Sequence, residues 1–211
     1  MITVVVLISG NGSNLQAMID AVKNGLAINI AAVISNQPDA YGLQRASDAG
    51  IPAHVIDHRQ FDSRDDFDTA LQEQIDTYQP NLIVLAGFMR RLGSEFVAHY
   101  PGRMINIHPS LLPKYPGLDT HKRALEAGDR QHGASIHFVT DDLDAGPIID
   151  QATLDIKADD TEETLKSRVQ ALEHQLYPEV LGWFAENRIT LKSGQVYLDS
   201  KPIPHTTSSR T

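Results

Sequence analysis

Asn106 and His108 stand two residues apart in the run Ile105-Asn106-Ile107-His108-Pro109-Ser110-Leu111-Leu112-Pro113. An amide can donate to a developing oxyanion and an imidazole can move a proton, so the pair suits a reaction that needs both. Alternation along a strand puts Asn106 and His108 on one side, with Ile105 and Ile107 turned toward a core. The plainer reading is a hydrogen-bonded Asn and His that close a strand. A third candidate is Asp144, in the acidic turn Thr140-Asp141-Asp142-Leu143-Asp144-Ala145-Gly146-Pro147. A carboxylate placed there against His108 would favour the imidazolium form. Calcium is a poor alternative, because Gly146 stands two residues past Asp144 and no ligand set follows. A solvated acidic turn is the ordinary explanation of such a run.

Other chemistries find less support. The chain has no cysteine, which removes disulfides, thiolate nucleophiles and zinc–thiolate sites and suits a reducing cytoplasm. Nine histidines offer no metal spacing: His132 and His137 would fall on opposite faces of a strand, and His54 and His58 straddle a strand end and a turn. No Gly-x-Ser-x-Gly elbow is present, and Pro109 separates Ser110 from His108. A formal net charge of −9 argues against a nucleic-acid backbone as partner, while leaving room for a local pocket for a small anion. The N-terminal apolar run lacks a positive region and is only about strand length, and no run approaches a membrane span of roughly 20 residues. A cytoplasmic protein with no membrane partner is expected.

The elements that would position these residues alternate. Thr3 to Ile8 is a β-branched run typical of a strand buried on both faces. It leads into Ser9-Gly10-Asn11-Gly12-Ser13-Asn14 and then Leu15, Ala17, Met18, Ala21 and Val22 at helical spacing. Strand, glycine-rich turn and helix N-terminus together form an anion cradle. The dinucleotide fingerprint would need a third glycine where Leu15 stands, and an acidic residue where Asn36 follows a second strand over 28–35. Both departures favour a single phosphate over a dinucleotide. Further elements are expected as a helix over 40–49, a strand over 53–56, a helix over 62–78, a strand over 81–86, a short helix over 94–100 and a strand over 103–108. Such alternation implies βαβ units in an α/β, Rossmann-like, open and mostly parallel twisted sheet with helices on both faces. Ligands of such sheets sit at strand carboxyl ends. The Gly10–Asn14 turn, the Gly87–Leu92 loop and the Asn106–His108 pair all fall there.

The second half adds antiparallel character. A helix is expected over 119–127, strands over 134–139 and 148–156, and a long helix over 161–177 that Pro178 breaks or kinks. Leu165, Val169, Leu172 and Leu176 form its apolar stripe, and a hairpin of 188–191 with 195–198 follows. One domain over 1–203 results, with a phosphate-binding half over 1–100, a catalytic half over 101–186, a hairpin over 187–200 and a disordered tail over 204–211.

Four segments carry a resemblance. Ser9-Gly-Asn-Gly-Ser-Asn-Leu-Gln16, Leu85-Ala-Gly-Phe-Met-Arg90, Asn106-Ile-His-Pro-Ser-Leu-Leu-Pro-Lys-Tyr-Pro-Gly117 and Asp144-Ala-Gly-Pro-Ile148 resemble the phosphoribosylglycinamide formyltransferase family, folate-dependent enzymes of purine synthesis. The resemblance runs from Val4 to about Trp183. It implies Asn106, His108 and Asp144 as the catalytic trio. It implies that Asn11, Gly12, Ser13 and Asn14 cradle the phosphate of glycinamide ribonucleotide, and that Glu173 meets its amine. Arg64, Met89, Arg90, Arg91 and Leu92, with Asn106, Val139, Asp141 and Asp144, would line the site of the co-substrate 10-formyltetrahydrofolate. It also implies a cis bond at Leu112-Pro113, small-molecule partners only, no metal, and a monomer or weak homodimer. Arg91 departs from the family, which usually has an aliphatic residue there, and Asp119 replaces another polar residue.

Related readings keep the same trio. A formyltetrahydrofolate hydrolase would normally carry an N-terminal regulatory domain, whereas this sheet starts at residue 3. A methionyl-tRNA formyltransferase would need a further C-terminal domain and a basic surface. A non-catalytic folate or nucleotide sensor needs a pocket but no proton relay.

Overall fold

A computed structural model describes residues 1–203, so the expected tail at 204–211 lies outside the described residues. The chain divides into two compact units between Asn106 and Ile107. The first contains β1 (Ile2–Ile8), α1 (Ser13–Lys23), β2 (Ile28–Ser35), α2 (Tyr41–Asp48), β3 (Ala53–Val55), α3 (Arg64–Asp76), β4 (Leu82–Leu85) and α4 (Ser94–His99). It ends within β5 (Met104–His108). The second contains α5 (Thr120–Glu126), β6 (Gln131–Phe138), β7 (Ile148–Asp155), α6 (Glu162–Ala185), β8 (Ile189–Lys192), β9 (Gln195–Leu198) and β10 (Lys201–Pro202). One seven-stranded sheet has the order β3-β2-β1-β4-β5-β6-β7. The α/β class and the mostly parallel sheet agree with the sequence reading.

In the first unit, β1 pairs in parallel with both β2 and β4, and its run Val4–Ile8 is fully buried. Each such side chain contributes about 1.5–3 kcal/mol by leaving water. Leu15, Met18 and Ile19 form the buried face of α1. Helix α3 starts where the Ser63 hydroxyl accepts the Asp66 N–H at 3.1 Å, with Asp65 and Asp66 suiting the positive helix end. It buries Phe67, Leu71 and Ile75, together with a carboxylate, Asp68.

In the second unit, β6 and β7 run antiparallel and α6 packs on both. Strand β6 begins at Gln131, three residues before the expected start, because Gln131, His132 and Gly133 pair with Asp155, Leu154 and Thr153. Helix α6 opens with reciprocal bonds between Thr161 and Thr164. Of the break or kink expected at Pro178, the break does not occur, and the helix continues to Ala185. A proline inside a helix costs about 3 kcal/mol, through its missing N–H and the clash of its ring with the carbonyl four residues earlier. The buried side chains of Leu176, Tyr177, Val180, Leu181 and Trp183 on either side of the proline offset that cost. The stripe also differs: Leu172 is only half-buried, and the central place four residues after Val169 belongs to Glu173, 8% exposed. The hairpin expected over 187–200 is a three-stranded sheet, because Lys201 and Pro202 add to β9 as an antiparallel edge. Proline is tolerated at such an edge, where no ladder donor is needed.

His121 of α5 and His132 of β6 lie with Nδ1 and Nε2 3.1 Å apart. Burial pushes both imidazoles down to about 4, and Lys166 adds repulsion at His121. One neutral ring must therefore donate to the other. In the unfolded chain both titrate near 6.5, so between about 6.5 and 4 the unfolded state binds more protons and stability is lost as the pH is lowered. Each ring adds a slope of up to about 1.4 kcal/mol per pH unit. Thermal unfolding followed by circular dichroism from pH 7 to 4.5 is expected to show a falling midpoint, and His132→Gln a shallower fall. An unchanged slope in that variant would remove the imidazole pair as its cause.

Candidate active site

In the first unit, the turn after β1 is built from main chain. Gly12 caps α1 with φ of 73°, and α1 has neither a side-chain cap nor an acidic residue in its first turn. The positive end of the helix dipole is thus not neutralised locally. Gly12 is required twice over, since a Cβ there would also lie 2.7 Å from the Gly42 Cα. Beneath the turn, the Arg45 guanidinium donates to the Asn11 carbonyl at 2.9 Å, to Asn11 Oδ1 at 3.0 Å and to Gln16 Oε1 at 3.1 Å. Sequence reading missed Arg45, because nothing in the spacing of α2 marks it as a brace for a turn some 30 residues earlier.

Asn36, the residue in the place of a ribose-binding acid, is buried and already engaged. Its Oδ1 accepts the Ser9 hydroxyl at 2.5 Å, and its side-chain nitrogen lies 3.2 Å from His58 Nδ1.

The Gly87–Leu92 loop follows β4. Phe88 and Leu92 are buried, whereas Met89 is 69% exposed and Arg91 is also exposed. Arg90 lies over the Phe67 ring at 5.6 Å, and its buried Nε has no hydrogen-bond partner among the described residues. Arg64 is half exposed, 3.8 Å from Asp65. The loop is held at both ends: the Met89 N–H donates to Ser9 Oγ and the Gly93 N–H to Asp68 Oδ2, each at 2.7 Å. Burial pushes the Asp68 carboxyl up, against the pull of the Gly93 N–H and Arg64. Neither Ser9 nor Asp68 stood out as a holder of this loop from sequence.

In the second unit, the turn after β5 is stapled from below. Ser135 Oγ donates to the Ser110 carbonyl at 2.6 Å and accepts the Leu112 N–H at 3.0 Å. Gln151 donates to Ser135 Oγ and to the Leu112 carbonyl. Leu112-Pro113 is cis, as the resemblance implied. The turn then carries the Tyr115 carbonyl to 2.8 Å from His108 Nε2.

On the other side of the ring, His108 Nδ1 lies 3.3 Å from Asp144 Oδ2, and both side chains are buried. The same oxygen accepts the Gly117 N–H at 2.8 Å. Both ring nitrogens of His108 therefore face oxygens, the Tyr115 carbonyl on one side and the Asp144 carboxyl on the other. Asp144 Oδ1 faces His137 Nε2 at 3.7 Å. Burial pushes the His137 imidazole down, although its Nδ1 lies 2.9 Å from the Phe138 carbonyl. His137 entered the sequence reading only as a failed metal ligand; its place two residues before the 139–144 loop was the available signal. Of the residues expected to line a folate site here, Val139 is half-buried and Asp141 exposed. Asn106, half-buried, sits opposite Leu85 of β4, two positions before His108 on the same strand. Glu173 is buried on α6, and its charge, after burial itself, raises the Tyr177 phenol. Among the described residues no group of three His, Asp or Glu side chains could hold a metal ion.

If the turn after β1 is an anion cradle, Arg45→Met should weaken ribose 5-phosphate binding by roughly tenfold, about 1.4 kcal/mol. Isothermal titration calorimetry reads this directly, and unchanged affinity would take Arg45 out of the cradle.

A family model described as formyl transferase matches residues 2–181. The phosphoribosylglycinamide formyltransferase of Escherichia coli strain K12 is 54% identical over 202 residues, 95% of each chain. That of Haemophilus influenzae is 46% identical over the same share. The solved phosphoribosylglycinamide formyltransferase of Coxiella burnetii superposes with a TM-score of 0.96 at 62% identity, covering 99% of this chain and 98% of its own. With a family model over residues 2–181 and likeness over nearly the whole of each relative, the chain belongs to the formyl transferase family of enzymes.

Proposed function

We propose that this protein transfers the formyl group of 10-formyltetrahydrofolate directly to the primary amine of 5'-phosphoribosylglycinamide. The products are formylglycinamide ribonucleotide and tetrahydrofolate, in de novo purine biosynthesis. The observation that carries the reading is the buried His108–Asp144 pair, 3.3 Å apart, in which His108 ends the strand that also carries Asn106 and Asp144 comes from the loop between β6 and β7. Full-length relatives that bear the enzyme's name support it.

The amine attacks the formyl carbon, forming a C–N bond and a tetrahedral oxyanion. Asn106 N–H and the His108 imidazolium stabilise that charge as it develops. Collapse breaks the bond from carbon to N10 of the folate, and the proton lost by the amine is delivered to N10. Asp144 keeps the His108 ring charged and aimed, and takes part in that proton transfer, directly or through water. No covalent enzyme intermediate and no metal is required.

Asn11, Gly12, Ser13 and Asn14 hold the substrate phosphate through main-chain donors and the α1 dipole. Binding energy gained there, remote from the reacting atoms, goes into positioning. Glu173 receives the glycinamide amine. Arg64, the Met89–Leu92 loop, Val139 and Asp141 contact the folate, with Arg91 tolerated because the pterin is met by main-chain groups of 90–92. The working partners are these two small molecules, in the cytoplasm, with no nucleic acid or membrane involved. Among the described residues no helix is long and apolar enough to cross a membrane.

Folate release followed spectroscopically, with and without glycinamide ribonucleotide, tests the proposal. Release that depends on the amine supports transfer, release without it would indicate a hydrolase, and none under any condition a binding protein. Asn106→Ala and Asp144→Asn are each expected to lower kcat by about 10²–10³, the cost of one oxyanion donor or its support, while both ligands still bind. Wild-type turnover in either variant would sink the residue assignment.

A further inference from the structure

Ser9 is the last residue before the Gly10–Asn14 turn, and its side chain reaches away from that turn to the neighbouring loop. Ser9 Oγ accepts the Met89 N–H at 2.7 Å and donates to Asn36 Oδ1 at 2.5 Å. Asn36 continues the chain, with its side-chain nitrogen 3.2 Å from His58 Nδ1 and its carbonyl 3.1 Å from the same atom. A hydroxyl that donates strongly also accepts more strongly, so the Met89 bond depends on the bond to Asn36. Asn36 is almost wholly buried and fixed, whereas Met89 is among the most exposed large apolar residues of the chain. One end of the chain is therefore anchored, and the other holds a loop that solvent would otherwise release.

We propose that Ser9 is a positioning residue that couples the two ligand loops of the first unit. A phosphate seated on the Gly10–Asn14 turn fixes the backbone at Ser9, and the Ser9 hydroxyl passes that order to the Gly87–Leu92 loop. The inference rests on the reading of these two loops as the phosphate and folate sites. It adds that filling one prepares the other without any contact between the ligands. Ordering that is shared between two ligands makes each bind more tightly when the other is present, and by the same factor in both directions. Asp68, which holds Gly93 at the far end of the loop, is not adjacent to the phosphate turn in sequence and serves as a static anchor.

Ribose 5-phosphate is the appropriate probe, since it carries the phosphate but no glycinamide arm that could touch the folate. Affinity for a non-reactive folate analogue such as 5,8-dideazafolate is measured by calorimetry with and without it, in wild type, Ser9→Ala and Ser9→Thr. Wild type is expected to bind the analogue about five to tenfold more tightly when ribose 5-phosphate is present. Ser9→Ala should keep binding each ligand but lose that factor to below twofold, and Ser9→Thr, which restores a hydroxyl, should recover it. Hydrogen exchange at the Met89 amide supplies an independent readout: ribose 5-phosphate should slow it in wild type and leave it fast in Ser9→Ala. Full coupling in Ser9→Ala, or no coupling in wild type, would overturn the inference while leaving formyl transfer intact. Failure of wild type to bind either ligand would instead overturn the functional reading beneath it.

Discussion

Asp144 addresses His108 from a backbone held in the left-handed region, with φ of 50°. For a residue with a Cβ that conformation costs on the order of 1–2 kcal/mol. The surrounding chain imposes it. Two residues on, Gly146 lies so close to the Phe138 carbonyl that an added Cβ would come within 1.8 Å of the oxygen. Across the turn, the Gly117 N–H holds the carboxylate by a charge-assisted bond. From that held oxygen the direction of the His108 ring follows, and from the ring the direction of any proton it delivers. The staples from Ser135 and Gln151 serve the same end from below, since they fix the turn that brings Gly117 into place.

The first unit meets a different electrostatic demand. The chain carries a formal charge of −9, yet the turn after β1 is locally positive. The main-chain dipole of α1 is left without an acidic residue, and Arg45 spends its donors on Asn11 and Gln16. Overall charge therefore does not describe the field that a small anion meets there. A cation that braces the turn through Asn11 and Gln16 adds positive charge to it.

Strand and helix types could be read from the sequence because burial imposes its own periodicity. Val4–Ile8 and Leu82–Leu85 are buried on all sides and are apolar throughout, while α3 repeats its apolar residues at helical spacing. The places where reading failed are those settled by partners distant in sequence. Pro178 signals an end to helix by its own geometry, but buried neighbours on both sides keep the helix going. Lys201 and Pro202 have no strand character of their own and pair because β9 offers an edge. Among candidate site residues, Asn106, His108 and Asp144 were visible as chemistry at strand ends and in a tight bend. His137 was not: the pairing of β6 with β7 shifts between Ile136 and His137, and alternation alone cannot follow a side chain past such an irregularity. Arg45 and Ser9 act through atoms of distant loops, a relation that no local spacing records.

The group that holds His108 Nε2 is a main-chain oxygen. Any residue that takes up the positive φ of 56° found at position 115 would supply it, so the acceptor survives substitutions that leave the path of the turn intact. An inventory of side chains, or a scan that replaces each in turn with alanine, would pass over it without notice. The orientation of the imidazole is thus stored in the shape of the Pro109–Gly117 segment rather than in the identity of one neighbour. Changes in loop length there would threaten it more than changes in residue type.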